Sequence, residues 1–269
     1  MRYNLLVPVL TTTLAALTAT HVLAQDISQL AQKFQDRYGK LETQIKDMTL
    51  IQEITMVSEK GNIVSNAAYY YKGDRFRMDI KTNTGQKEAM NMETTILFDG
   101  TDMWMIAPFM GKKKISEKDQ QQYQKDRSWK WWADLAKNGK ITGIEKIGDR
   151  NCYVIEHVSD KDEKKGATAS FTKMWIDKDN LVQVKAEMMV EKKKKAVVLY
   201  SDFRKVPGNW EMAFKTEMFA EKDNQLISTV IVKSVDVNKG VADALFEIGK
   251  TEKKAGFKDM FKGMAPGGE

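Results

Sequence analysis

The chain has 269 residues, 43 Lys and Arg against 37 Asp and Glu, 16 Met, 6 Trp, 2 His and a single Cys. That length allows one large domain with a substantial core. The cations are interleaved with acids along the chain, which excludes a nucleic-acid footprint, and one Cys excludes an internal disulfide framework.

Residues 1–24 read as a signal peptide. Arg2 supplies a minimal basic start, LLVPVLTTTLAALTA a short apolar stretch, and Val22-Leu23-Ala24 a small-residue cleavage site before Gln25. The apolar stretch is short and Thr-rich for a spanning helix, which needs about 20 apolar residues. The expected mature protein runs from Gln25 to Glu269, is exported to the periplasm, and carries +5 rather than +6 because Arg2 is lost. No Cys follows the cleavage point, so a lipobox-type lipid anchor is not expected.

Residues 26–46 have helical periodicity. Asp26 and Gln29 have capping-box spacing, and Ile27, Leu30, Ala31, Phe34, Tyr38, Leu41 and Ile45 form one apolar stripe. Strands follow. TLIQEITMVS ends at EKGN, IVSNAAYYY at KGD, and RFRMDIK alternates with Phe76, Met78 and Ile80 on one face. ETTILF leads to Asp99-Gly100, a hairpin signal. If that turn has two residues, Ile96 opposes Met103, and Met103 and Met105 share a face; a three-residue loop would put Trp104 there instead. In TDMWMIAPFMG both faces are apolar, since Trp104 and Ile106 lie opposite the two methionines. A segment outside the sheet or a partner must cover the second face.

Residues 117–138 break the strand rhythm and predict one helix, stopped by Asn138-Gly139. Trp129, Trp131 and Trp132 give it a broad aromatic face. Two readings stand: a lid over a cavity mouth, or a permanently packed helix. Strands then resume through ITGIEKI, CYVIEHVS, SFTKMWID, LVQVKAEMMVE, AVVLYSDFRKV, WEMAFKTEMFAE and LISTVIVKSVDV, each bounded by polar turns. The chain therefore predicts an antiparallel meander of ten or eleven strands. A sheet of that size curls, and two apolar helices across its open side would complete an incomplete barrel. The domain is expected to span residues 25–250. Residues 251–269 form a basic tail in which Phe257, Met260, Phe261 and Met264 share a helical face suited to a membrane or a partner helix. The runs Lys112–Lys114 and Lys192–Lys195 read as solvated turns that guard strand edges, or as sites for anionic surfaces.

Catalytic signatures are scarce. After cleavage His157 is the remaining histidine, and no HExxH, clustered His/Cys, EF-hand loop or Gly-rich phosphate loop occurs. DKDN at 177–180 reads as a hairpin turn and Cys152 as a small buried hydrophobe. Neither an enzyme nor a cofactor is expected; loss of an activity on mutating His157 would revive a lipid hydrolase. Methionine is enriched in strands, including Met56, Met78, Met103, Met105, Met174, Met188 and Met218. Its soft side chain re-packs around varied apolar ligands.

AYYYKGDRFRMDI followed by TILFDGTDMWMIAPFMGKKKI resembles the LolA-like family of periplasmic outer-membrane lipoprotein carriers. The matching features are Lys72-Gly73, Phe76 with Met78, Asp99-Gly100, Trp104 and Pro108-Phe109, and VDVNKGVADALFEI resembles the family's last strand, with Val241, Asp243 and Phe246 in place. The resemblance implies an open antiparallel barrel closed by helices, whose apolar interior holds acyl chains. It also implies an inner-membrane transporter as donor and an outer-membrane protein as acceptor. It places Phe76, Met78 and Ile96 in the cavity and Lys72 on its rim. The full set expected to face the cavity is Met56, Phe76, Met78, Ile80, Ile96, Phe98, Met103 and Met105, with Lys72, Trp129, Trp131 and Trp132 at rim or lid. Asp at Phe76 is expected to abolish cargo binding without unfolding the protein. The leading expectation is a monomeric carrier of acylated lipoprotein or lipid; the alternative is a lipid- or lipoprotein-sensing regulatory protein on the same fold.

Overall fold

The computed structural model describes residues 27–59, 61–83, 92–108, 110–126, 131–157, 170–191, 194–208, 210–248 and 253–255. Helix α1 (Ile27–Tyr38) buries Leu30, Ala31 and Phe34, three members of the apolar stripe. The helix does not run on to residue 46. It breaks at Gly39, where a β-carbon would lie 2.4 Å from the Gln35 carbonyl oxygen, and a single turn, α2 (Leu41–Gln44), follows.

Strands β1 (Asp47–Met56), β2 (Ile63–Lys72), β3 (Arg75–Asn83), β4 (Met92–Phe98), β5 (Met103–Ala107) and β6 (Gly111–Ile115) form one antiparallel meander. Helices α3 (Glu117–Asp126) and α4 (Trp131–Asn138) follow where one helix is predicted. Asn138-Gly139 ends α4 as expected. A second meander comprises β7 (Gly139–Ile147), β8 (Arg150–His157), β9 (Ser170–Asp177), β10 (Gln183–Glu191), β11 (Lys194–Val206), β12 (Trp210–Ala220) and β13 (Leu226–Val237).

The two meanders become one sheet because β13 returns to pair with β1. Strand β1 thus lies near the middle, and β7 forms one edge. The sheet is not closed: β6 and β7 are far apart in its order. The strand count exceeds the expectation. Lys112–Lys114 lie in strand β6 rather than in a turn, and Lys114 reaches Asp102 at 2.6 Å. In the tail, β14 (Lys253–Ala255) adds in parallel to β6, so part of the expected appendage belongs to the sheet. Among the described residues, no helix is long and apolar enough to cross a membrane.

The hairpin at Asp99-Gly100 differs in detail from its prediction. The loop runs over four residues, Asp99 to Asp102, with Gly100 at φ +104°. Asp99 Oδ1 accepts hydrogen bonds from the Thr101 and Asp102 amides at 2.8 Å, and the side chain holds the turn open. Met103 therefore opposes Phe98, and Ile96 opposes Met105. Two extra residues preserve strand parity, so Met103 and Met105 keep the predicted face.

Both helical layers sit on one face of the sheet, here termed the inner face. Leu30 and Phe34 of α1 and Trp132 and Leu135 of α4 pack with Ile141, Ile155, Met174, Ala186 and Val198 of β7, β8, β9, β10 and β11. Leu41 and Ile45 pack with Val237 and Met48. Asn238, at φ +56°, pins this corner: its side chain accepts from the Lys46 amide at 2.7 Å and donates to the Gln44 carbonyl at 2.8 Å.

Candidate functional site

Alternation in β3, β4 and β5 places Phe76, Phe98 and Met103 in one cross-strand row and Met78, Ile96 and Met105 in the next. These six side chains, with Ile115, Tyr71 and Met110, form one apolar cluster. Following the register through β2, Ile80 opposes Ala67, and Met56 of β1 opposes Ile63 on the same face. All eight predicted cavity positions thus lie on the inner face, although they differ in exposure. Phe76, Ile96, Phe98, Met103 and Met105 are buried, with Met103 wholly inaccessible. Met56, Met78 and Ile80 are half-buried.

This gradient defines the site. One buried cluster fills the inner face at β3–β6, and another lies under α1 and α4 at β7–β11. Between them runs a strip of mostly half-exposed side chains on β1, β2, β12 and β13 and at Met78 and Ile80 of β3, in which Ala67, Phe214 and Val232 are themselves buried. Leu50, Ile54 and Met56 continue into Val230 of β13. Met218 of β12 opposes Ser228. This strip is where an apolar ligand would find unsatisfied surface without displacing a closed core.

The gradient also corrects the expected Phe76→Asp result. Phe76 stacks on Phe98 with centroids 6.2 Å apart, and an unpaired carboxylate there would be buried. That variant is expected to unfold, so loss of binding would carry no information. Met78→Glu tests the same face from a half-exposed position.

The outer face answers the question raised by Trp104. Leu97 and Trp104 oppose each other there, and Val241, Leu245, Phe246 and Ile248 cover them. The cover is the chain's own segment after β13, including the 3-10 turn Asp243–Phe246. Lys72, predicted at the cavity rim, lies on this side. Its Nζ donates to the Val241 carbonyl and to Asp243, each at 2.9 Å. Arg75 also pairs with Asp243, and Arg77 donates to the Leu245 carbonyl at 3.1 Å.

Of the predicted lid residues, Trp129 lies outside the described residues. Trp131 begins α4. Trp132 is 5% exposed, stacked on Phe34 at 6.1 Å and tilted against Tyr38 at 5.9 Å. The tail residues Phe257, Met260, Phe261 and Met264, Lys192 and Lys193, and Asp26 of the predicted cap also lie outside the described residues.

The DKDN segment is a turn. Asp177 Oδ1 accepts from the Asp179 and Asn180 amides at 2.7 and 2.8 Å, and Arg150 pairs with Asp177 and Glu211. Among the described residues, no three His, Cys, Asp or Glu side chains gather where they could hold a metal. A polar depression between α1 and this turn is lined by Lys33, Asp36, Arg37, Lys178, Asp179 and Leu181, away from the apolar strip. Cys152 is fully buried, and burial, reinforced by nearby Asp177, pushes its thiol up to about 11. The folded protein is therefore expected to resist iodoacetamide at pH 8 and to alkylate at once in denaturant; equal rates in both conditions would contradict its burial.

The fold is shared with solved structures at low identity. An outer membrane lipoprotein-sorting protein domain from Vibrio parahaemolyticus superposes with TM-score 0.56 at 14% identity, covering 81% of this chain and 95% of the other. A DUF1329 family protein from Desulfovibrio piger gives 0.56 at 15% identity, covering 84% and 97%. A LolA superfamily protein from Nitrosomonas europaea gives 0.52 at 14% identity, covering 81% and 97%. No curated protein matches the chain. The predicted fold class is thus established as LolA-like: a large antiparallel sheet, not closed into a barrel, with helices on one face. A family model described as "Uncharacterized protein" matches residues 87–250, more than half of the chain, and the chain belongs to that family.

Proposed function

We propose that the protein is an exported, periplasmic, non-enzymatic carrier that shields acyl chains of lipoproteins, or of a related lipid, on the inner face of its sheet. The observation that carries this reading is the half-exposed apolar strip between two closed clusters. Each methylene withdrawn from water there is worth about 0.8 kcal/mol, so one or two acyl chains could be held without an ion pair. Met56, Met78 and Met218 suit chains of varied length, because thioether side chains re-pack readily. The fold similarity to a lipoprotein-sorting domain supports the reading. An inner-membrane donor and an outer-membrane acceptor would complete the route, with the carrier travelling as a monomer.

Native mass spectrometry of Gln25–Glu269, purified from the periplasm without detergent, tests this. Acylated polypeptide bound one-to-one is the expected result. Met78→Glu is expected to weaken binding of an acylated peptide at least tenfold while leaving the thermal transition cooperative. A protein that is empty and also refuses added acylated peptide would overturn the proposal.

A further inference from the structure

We propose that Gln52 and Tyr69 form a polar seat in the floor of the apolar strip, where the carbonyl of an acyl ester or amide is held. The inference rests on the acyl-binding reading above and adds a chemical preference to it.

On its inner face β1 presents Met48, Leu50, Gln52, Ile54 and Met56. One carboxamide thus interrupts an otherwise apolar row at its centre. Its cross-strand neighbours, Ala67 on β2 and Val232 on β13, are both apolar. Its hydrogen-bond partner is diagonal: Nε2 donates to Tyr69 Oη at 3.0 Å. The β1–β13 register slips here, between Ile51 paired with Ser234 and Gln52 paired with Val232. A bulge at mid-sheet re-aims the side chain beside it.

A primary amide has two N–H donors and a carbonyl, so one bond to Tyr69 leaves capacity on a half-buried group. Apolar surface lies on both sides along the row. The seat therefore suits a ligand with one or more carbonyls at the root of its chains. Those carbonyls would accept from Gln52, and the chains would run along the strip. Tyr69 acts here as a positioning residue that fixes the amide plane.

The test compares a diacyl phosphatidylglycerol with its dialkyl-ether analogue of equal chain length. Binding to Gln25–Glu269 is read by displacement of a fluorescent fatty-acyl probe. A net hydrogen bond predicts a preference for the ester of about 3- to 10-fold. Gln52→Leu is expected to abolish the preference by weakening ester binding while ether binding holds or improves. Tyr69→Phe should reduce the preference partly. Circular dichroism and thermal melts identify variants that fail to fold, and Gln52→Glu, which keeps shape but loses the donors, provides a second reading of the same contact. An ester preference that survives Gln52→Leu and Gln52→Glu, or wild-type protein that binds both lipids equally, would overturn the seat and leave the carrier reading standing. Wild-type protein that binds neither lipid nor the acyl probe would overturn both.

Discussion

Replacing Trp132 by alanine is expected to lower the unfolding free energy by about 3–5 kcal/mol, the range for deleting a large buried aromatic. The indole packs against Phe34 and Tyr38 of α1 within the buried cluster, and Leu135 of the same helix is buried with it. Tyr38 is itself anchored, since its hydroxyl donates to the Asn180 carbonyl at 2.9 Å. Removing Trp132 therefore leaves a cavity walled by parts that are fixed elsewhere, and such cavities collapse poorly. The effect bears on the two readings of the tryptophan helix. A helix that is permanently packed loses stability on this substitution, and its fluorescence stays constant when acylated cargo is added. A lid that lifts would bind cargo more tightly once its closed state was weakened, and its emission would shift on loading. The stacking supports the first outcome. Urea denaturation of Trp132→Ala, with titration of wild-type emission by acylated peptide, separates the two; a stability loss below about 1 kcal/mol would contradict the packed helix.

Much of the sheet was legible because local signals bound each strand. Phe76, Met78 and Ile80 alternate against Arg75, Arg77 and Asp79, and glycine at Gly73 and Gly100 marks turns with positive φ. Parity carries the inner-face assignment across β3, β4 and β5 even though the loop has four residues rather than two. The pairing of β1 with β13 was not legible, because it joins residues about 180 positions apart and no local pattern encodes it. Strand β6 was hidden by its three lysines, which suit an edge as well as a turn. The outer cover is half-legible: Trp104 and Ile106 show that something must lie on that face, but Val241 and Phe246, expected in a last strand, instead follow the end of β13 in a turn that folds over Leu97 and Trp104. Burial was the harder part of the site. Sequence placed eight side chains on one face but could not separate the five that close a core from the three that line open surface. The Gln52–Tyr69 contact did leave a signal, a lone amide between Leu50 and Ile54 in the alternation. That signal is weak by itself, because one polar residue in a strand is ordinary until its neighbours are known.

Phe246→Ala is expected to release the segment that covers the outer face and to cost about 3 kcal/mol or more. The ring is buried with Val241, Leu97 and Trp104, and Arg75 lies over it at 5.0 Å. Four contacts to β2 and β3 add to it: Lys72 and Arg75 each on Asp243, Lys72 on the Val241 carbonyl, and Arg77 on the Leu245 carbonyl. The apolar and ionic parts can be told apart by pH. The Lys72 ammonium and then the Arg75 guanidinium hold the Asp243 carboxyl below the usual aspartate range. A carboxyl lowered on folding contributes stability that is present above its unfolded value and lost as pH falls through the folded one. Asp243→Asn should therefore match wild type at pH 2 and fall slightly below it at pH 7, with the gap narrowing in high salt because the carboxylate is exposed. Phe246→Ala should stay far below wild type at every pH. Its exposure of Trp104 should appear as a red-shifted emission and faster amide exchange across β4 and β5. If the asparagine variant instead lost as much as the alanine variant at neutral pH, the ion pairs rather than the buried ring would hold the segment in place.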